Sequence, residues 1–259
     1  MLWADPEHVD DRHGGIEEAF FRRYLRTGDV VVDVGANVGF TTVLASKLVG
    51  PDGKVYAIEA HPRIYTYLKG NISFNRARNI SAFNVAIGNV REMAMISDIS
   101  SDDQNAISAD GAGLMIPMRR LDECEIGDPH IALLKIDVEG FEYSVLLGAT
   151  EVLRHVECVY FEFLPEQQTK YQFTLSNIVE LLSQQGFDVL RPEGDEIVRP
   201  ISIDAAQHIP DAMLGRVNLM AVRNRERFLA RTAFTIALDA SLTGSPKSGP
   251  SGYERIEGL

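Results

Sequence analysis

The sequence predicts an α/β fold on a mostly parallel sheet flanked by helices, and three features carry that expectation. Short apolar, β-branched runs alternate with amphipathic segments from residue 15 to about residue 190. A glycine-bearing turn, Asp33-Val34-Gly35-Ala36-Asn37-Val38-Gly39, directly overlaps the end of the first such run. Acidic residues then close later runs, at Glu59, Asp137 and Glu162. Strands buried on both faces read as continuous apolar runs, and strand–helix–strand alternation implies parallel pairing through right-handed crossovers.

Each element follows from its pattern. Residues 15–26 read as an amphipathic helix with Ile16, Ala19, Phe20 and Tyr24 on one face, and Gly28-Asp29 breaks it. Residues 30–34 form a buried strand and 41–49 a helix, closed by the turn Gly50-Pro51-Asp52-Gly53. Residues 55–58 are a second strand, 62–75 a helix with Pro62 suited to its first turn, and 80–86 a third strand. A short strand is expected at 93–97, and the polar stretch 98–113 reads as a mobile loop. Strands follow at 131–137 and 158–163 around a helix at 142–154. A helix at 175–185, strands at 188–190 and 217–222, a terminal helix at 223–242 and a flexible tail complete the chain. The total is about seven core strands.

Composition narrows the function. With 25 basic and 37 acidic residues the net charge is −12, a field that repels phosphate backbones and anionic headgroups. No nucleic-acid or membrane partner is expected; a homo-oligomer is left open. Two cysteines are too few for a disulfide scaffold or a structural zinc site. The N-terminus carries Asp5, Glu7, Asp10 and Asp11 where a secretory signal needs basic and then apolar residues, so a soluble, cytoplasmic protein is expected.

The turn at Gly35–Gly39 lacks the Gly-x-Gly-x-x-Gly spacing that seats a dinucleotide pyrophosphate. It is similar to the acidic-x-Gly-x-x-x-Gly loop of S-adenosylmethionine enzymes, whose ligand has no phosphates to seat. Glu59 lies 24 residues after Gly35 and ends the second strand, near the usual offset of about 20 for a carboxylate that accepts from ribose hydroxyls. Asn84-Val85-Ala86 ends the third strand, on the adenine side of such a ligand.

These residues, with Phe40, Ile87-Gly88, Arg120-Leu121-Asp122 and Leu134-Lys135-Ile136-Asp137-Val138-Glu139-Gly140-Phe141-Glu142, stand in the order seen in FkbM-type methyltransferases. The chain resembles that family over about residues 28–163. The resemblance implies a Rossmann-like class I methyltransferase fold with a seven-stranded sheet, S-adenosylmethionine as cofactor, and methyl transfer to a hydroxyl on a sugar, polyketide or similar natural product. Residues 28–223 are expected to form the methyltransferase domain, with 1–27 as an N-terminal helical segment with a candidate lid role and 224–259 as a C-terminal helix and tail. The candidate cofactor site is Asp33, Gly35, Ala36, Asn37, Gly39, Glu59, Ala60, Asn84, Ala86 and Asp137.

The candidate catalytic residues are Asp137, Glu139 and Glu162. In an open α/β sheet the strand C-termini line the ligand crevice, and alternation puts Lys135, Asp137 and Glu139 on one side. The three carboxylates suit a general base with a raised pKa, or a Mg²⁺ site in which Asp137 and Glu162 are the candidate ligands. The metal-free form is favoured, because no Asp-Asn pair follows the fifth strand to complete an oxygen shell. The bland alternative has Glu139 capping the next helix and Lys135 neutralising Asp137. His61 reads either as an adenine contact or as a surface histidine. Phe161 and Phe163 are expected in the core, while Tyr171 and Phe173 are candidates for the acceptor pocket. Residues 98–113 and the N-terminal helix are candidate lids. An NAD-dependent oxidoreductase and a non-catalytic nucleoside-binding module are the two alternative functions.

Overall fold

The computed structural model describes residues 15–99, 105–108, 111–194, 196–209 and 215–237. Helix α1 (Ile16–Tyr24) precedes β1 (Val30–Val34), α2 (Phe40–Val49), β2 (Lys54–Glu59), α3 (Pro62–Phe74) and β3 (Ile80–Asn84). Three short strands follow, β4 (Ala86–Ile87), β5 (Glu92–Ile96) and β6 (Leu114–Arg119). The chain then runs through β7 (Ile131–Ile136), α4 (Glu142–Leu147), β8 (Val156–Phe163), α5 (Pro165–Lys170), α6 (Leu175–Gln184) and β9 (Asp188–Pro192). It ends with β10 (Ile197–Pro200), α7 (Ile203–His208), β11 (Val217–Val222), α8 (Arg225–Thr232) and β12 (Thr235–Ile236).

The central sheet has nine strands in the order β12-β10-β9-β11-β8-β7-β1-β2-β3. From β3 to β8 all pairings are parallel. Strand β11 runs antiparallel to both β8 and β9, so β9 shares the direction of the parallel set. This Rossmann-like arrangement matches the expected α/β class. The count of seven is corrected to nine: β10 folds back antiparallel on β9, and the two-residue β12 pairs with β10. Neither is long enough to impose a period-two pattern that stands out in sequence.

Other expectations are corrected by local chemistry. The third strand stops at Asn84 rather than Ala86, because Val85 leaves the sheet and Ala86 pairs with Met118 in a second sheet of order β4-β6-β5. Strand β6 escapes a sequence reading because Pro117 interrupts it. Pro117 lies outside the two residues that pair with β4, so its missing N–H leaves no ladder bond unmade on that side. The helix expected over 142–154 ends at Leu147, and a 3-10 turn covers Val152–His155. Gly148 explains the break: a Cβ there would lie 1.9 Å from the Gly88 carbonyl oxygen, so the backbones meet where a side chain cannot fit. The terminal helix runs only from Arg225 to Thr232, capped by the Asn224 side chain and ended by Ala233 at φ 59°. Residues 238–242 of that expectation, and the expected tail, lie outside the described residues.

Two hydrophobic layers cover the two faces of the sheet. One holds Val32, Leu134, Ile136, Phe161 and Phe163 against α4 and α6, which puts both strand phenylalanines in the core as expected. The other holds Val31, Leu133 and Tyr160 against α1, α2 and α8. Helix α1 docks by Phe20, whose ring stacks 4.8 Å from Tyr160, and by the Tyr24 hydroxyl, which donates to the Ala132 carbonyl at 3.0 Å. That docking brings Glu17, in the first turn of α1, to the C-terminal edge of the sheet. Among the described residues no helix is long and apolar enough to cross a membrane.

Candidate active site

The strand order reverses between β1 and β7, and the crevice beyond such a switch point is where ligands bind in open α/β sheets. The two strand ends approach closely there. The Asp137 N–H donates to the Val34 carbonyl at 3.0 Å, and a Cβ on Gly35 would lie 1.8 Å from the Asp137 carbonyl oxygen. Gly35 also sits at φ 83°, so glycine alone fits. The Gly35 and Ala36 N–H groups donate to the Ile58 carbonyl, which ties the turn to β2. Asn37 adopts a left-handed φ of 50° and Gly39 one of 92° before α2 begins.

Glu59 organises this turn. One carboxylate oxygen accepts from the Asn37 N–H at 2.9 Å, the other from the His61 N–H at 2.8 Å. Burial pushes its pKa up to about 7, against the lowering effect of those two N–H groups. Asp33, one residue inside β1, is buried, and its Oδ2 accepts from the Thr41 and Thr42 hydroxyls of α2. Its Oδ1 has no hydrogen-bond partner but faces the Lys135 ammonium at 3.5 Å.

Lys135 is the centre of charge in the site. Only 3% exposed, its Nζ lies 3.2 Å from Asp137 Oδ2, 3.5 Å from Asp33 Oδ1 and 3.7 Å from Glu17 Oε1. Burial acts to lower its pKa, yet the carboxylates of Asp137, Glu17 and Asp33 outweigh it and hold the value well above the ordinary lysine range. One cation thus joins α1, the turn-bearing strand and the end of β7. The sequence alternative that Lys135 neutralises Asp137 holds, and the buried lysine does more than that.

Beyond Lys135, the carboxylates of Asp137, Glu139 and Glu162 converge, each offering an oxygen within 4.8 Å of the others. Glu139 sits at φ 54° and Gly140 at φ 98°, a sharp turn with a strained non-glycine residue. Glu142 stabilises that turn: its Oε1 accepts from the Val138 and Gly140 N–H groups, both at 3.1 Å. Glu142, and not Glu139, therefore caps this turn. Glu142 was not among the expected site residues, although an acidic residue in the first turn of a helix that follows a glycine is a signal for such a cap. Burial raises its pKa to about 7. Glu162, on β8, is also buried, and its Oε2 has no hydrogen-bond partner. Burial first and then the Asp137 carboxylate raise its pKa to about 8, with Arg216 pulling the other way.

The remaining expected residues are placed as follows. The Asn84 amide donates to the carbonyls of Glu59 and Ala60, at 2.9 and 3.0 Å, and so holds the end of β2 in shape. Ala86 is buried at the start of β4. His61 is fully buried, so the surface alternative is corrected: its Nδ1 accepts from the Arg63 N–H at the start of α3, and its Nε2 lies 3.2 Å from Asp98 Oδ1. Tyr171 packs edge-on against Phe141, with ring centres 5.2 Å apart, and its hydroxyl donates to the Ile107 carbonyl at 2.6 Å. Phe173 pairs with Tyr143 at 4.5 Å. Residues 100–104 and 109–110 of the expected loop lie outside the described residues.

The profile described as the methyltransferase FkbM domain matches residues 33–189. A protein-L-isoaspartate O-methyltransferase from Methanothrix thermoacetophila is 37% identical over 57 residues, 22% of this chain and 27% of that protein. An arsenite methyltransferase from Halobacterium salinarum is 36% identical over 56 residues, 22% of this chain and 14% of that protein. The alignments thus span well under half the length of these curated relatives. Among solved structures, a SAM-dependent methyltransferase from Aquifex aeolicus is 16% identical with a TM-score of 0.49, over 85% of this chain and 98% of that one. The profile match covers more than half of the sequence, and the chain belongs to the FkbM methyltransferase family.

Proposed function

We propose that the protein methylates a hydroxyl group on a small-molecule acceptor, with Glu162 taking the hydroxyl proton. The observation that supports this most is the buried, unpartnered Oε2 of Glu162, in a cluster of strand-end carboxylates beside the turn at Gly35. A carboxylate with a pKa raised to about 8 is a stronger base than an ordinary one and is matched to work near neutral pH.

S-adenosylmethionine is the cofactor. When bound, it supplies a sulfonium methyl group already activated as an electrophile. The residues present fit it. Each Glu59 oxygen accepts one backbone N–H and keeps acceptor capacity, which suits a vicinal ribose diol. The Gly35 turn brings backbone close to the ligand crevice, and Asp33, held by two threonine hydroxyls, anchors it. The work left to the protein is alignment of the acceptor oxygen and removal of one proton. Asp137, paired with Lys135, orients the cluster while Glu162 accepts the proton. A non-catalytic nucleoside-binding module would have no use for the Glu162 cluster.

Two measurements test this. Calorimetry should show one S-adenosylhomocysteine bound per chain. Glu59→Ala should weaken that binding at least about tenfold, since it removes charge-assisted hydrogen bonds worth about 1.5–3 kcal/mol each. An unchanged dissociation constant would remove Glu59 from the ribose site. Incubation with the cofactor and a panel of sugar and polyketide alcohols should then yield methyl ethers and S-adenosylhomocysteine in equal amounts, undiminished by EDTA. Turnover of amine or thiol acceptors, with none of the alcohols, would overturn the hydroxyl assignment.

A further inference from the structure

Arg216 belongs to no motif, yet it reaches the carboxylate cluster from the far side. Strand β11 pairs antiparallel with β8 so that Val217 faces Phe163 and Asn218 faces Glu162. The residue just before β11 therefore falls at the C-terminal edge of the parallel strands. From there the Arg216 Nε lies 3.3 Å from Glu162 Oε1, and a terminal guanidinium nitrogen lies 3.8 Å from Glu139 Oε2. The arginine side chain is 62% exposed, whereas those of Glu139 and Glu162 are 14% and 8% exposed. A solvent-side cation thus reaches down onto two largely buried carboxyl groups.

Charge and spacing decide what that contact does. Three carboxylate oxygens within 4.8 Å of one another are spaced as for a hard cation. Lys135 faces only Asp137 among them. Arg216 faces both Glu139 and Glu162, while the buried Oε2 of Glu162 keeps unused acceptor capacity inside the cluster. We propose that Arg216 is a positioning residue that stands in for a divalent cation: its guanidinium draws Glu139 and Glu162 together and keeps metal ions out. A planar fork with several donors can bridge two carboxylates, which an ammonium point charge does less well. The inference rests on the assignment of Glu162 as the base only for its consequence in turnover, not for the exclusion of metal.

Manganese titration followed by electron paramagnetic resonance tests the two parts separately. Arg216→Ala should bind one Mn²⁺ at least about tenfold more tightly than the unaltered protein, because the two carboxyl groups lose the cation they share. Adding Glu162→Gln to that variant should abolish the gain, and Arg216→Lys should restore part of the exclusion. Equal Mn²⁺ affinity in the unaltered protein and Arg216→Ala, with circular dichroism unchanged, would overturn the proposal. So would a gain that survives Glu162→Gln. In turnover, Arg216→Ala should lower kcat more than KM changes, with partial rescue by Arg216→Lys. Full turnover in Glu162→Gln would instead count against the base assignment while leaving the metal titration to judge Arg216.

Discussion

Replacing Lys135 with methionine should lower the unfolding temperature by about 6–20 °C. Lys135 is 3% exposed and is the shared counter-charge of Asp33, Asp137 and Glu17. Methionine keeps much of the length and volume but leaves Asp33, itself 1% exposed, with an uncompensated charge. Breaking a buried pair from one side costs about 3–5 kcal/mol, more than the pair itself contributes over an apolar replacement. The pH dependence gives a second check. The folded-state pKa of Lys135 is raised above its ordinary value of 10.5, so its contribution is fully present below that value and is lost only as pH rises through the folded value. The unaltered protein therefore keeps this contribution throughout neutral pH. The deficit of Lys135→Met should therefore be fully present throughout neutral pH. Scanning calorimetry at pH 6 and pH 8 measures both. A melting temperature within 2 °C of the unaltered protein at pH 8, a shift of about 1 kcal/mol or less, would show that the three acids find other partners.

The same network shows what could be read in the sequence and what could not. Strands β1 and β2 are legible because they are buried on both faces and the turn between α2 and β2 carries Gly and Pro. The turn at Gly35 and the acid at Glu59 were legible because they lie about one βα unit apart, within one local pattern. Lys135 and Asp137 share a strand end and were read together. Glu17 is not legible with them, since it lies on a helix whose apolar face is visible in sequence but whose docking against Tyr160 is not. Arg216 was missed for a similar reason: only antiparallel pairing with β8 brings it to Glu162, and nothing in its neighbours signals that. Strand β6 was hidden by Pro117, which ordinarily argues against a strand and is tolerated here because β4 is so short.

Glu162→Gln should reduce kcat on a true acceptor by on the order of 10²-fold, the lower end of the range for a lost general base. The substitution keeps the shape of a side chain that is 8% exposed and changes its charge. Binding of S-adenosylhomocysteine should stay within a few fold, because Glu162 is not among the expected cofactor contacts. The pH profile should change with it. With a pKa raised to about 8, Glu162 is ionised in only part of the molecules at neutral pH, so kcat should rise with pH and level off above about 8. Glu162→Gln should remove that inflection. Asp137→Asn is the informative comparison. Asp137 lies 3.2 Å from Lys135 and is the first neighbouring carboxylate that raises the Glu162 pKa. Neutralising it should move the inflection of the pH profile downward and leave a base in place, whereas Glu162→Gln removes the base. If Asp137→Asn abolishes the inflection and Glu162→Gln leaves it intact, the roles are reversed and Asp137 is the proton acceptor.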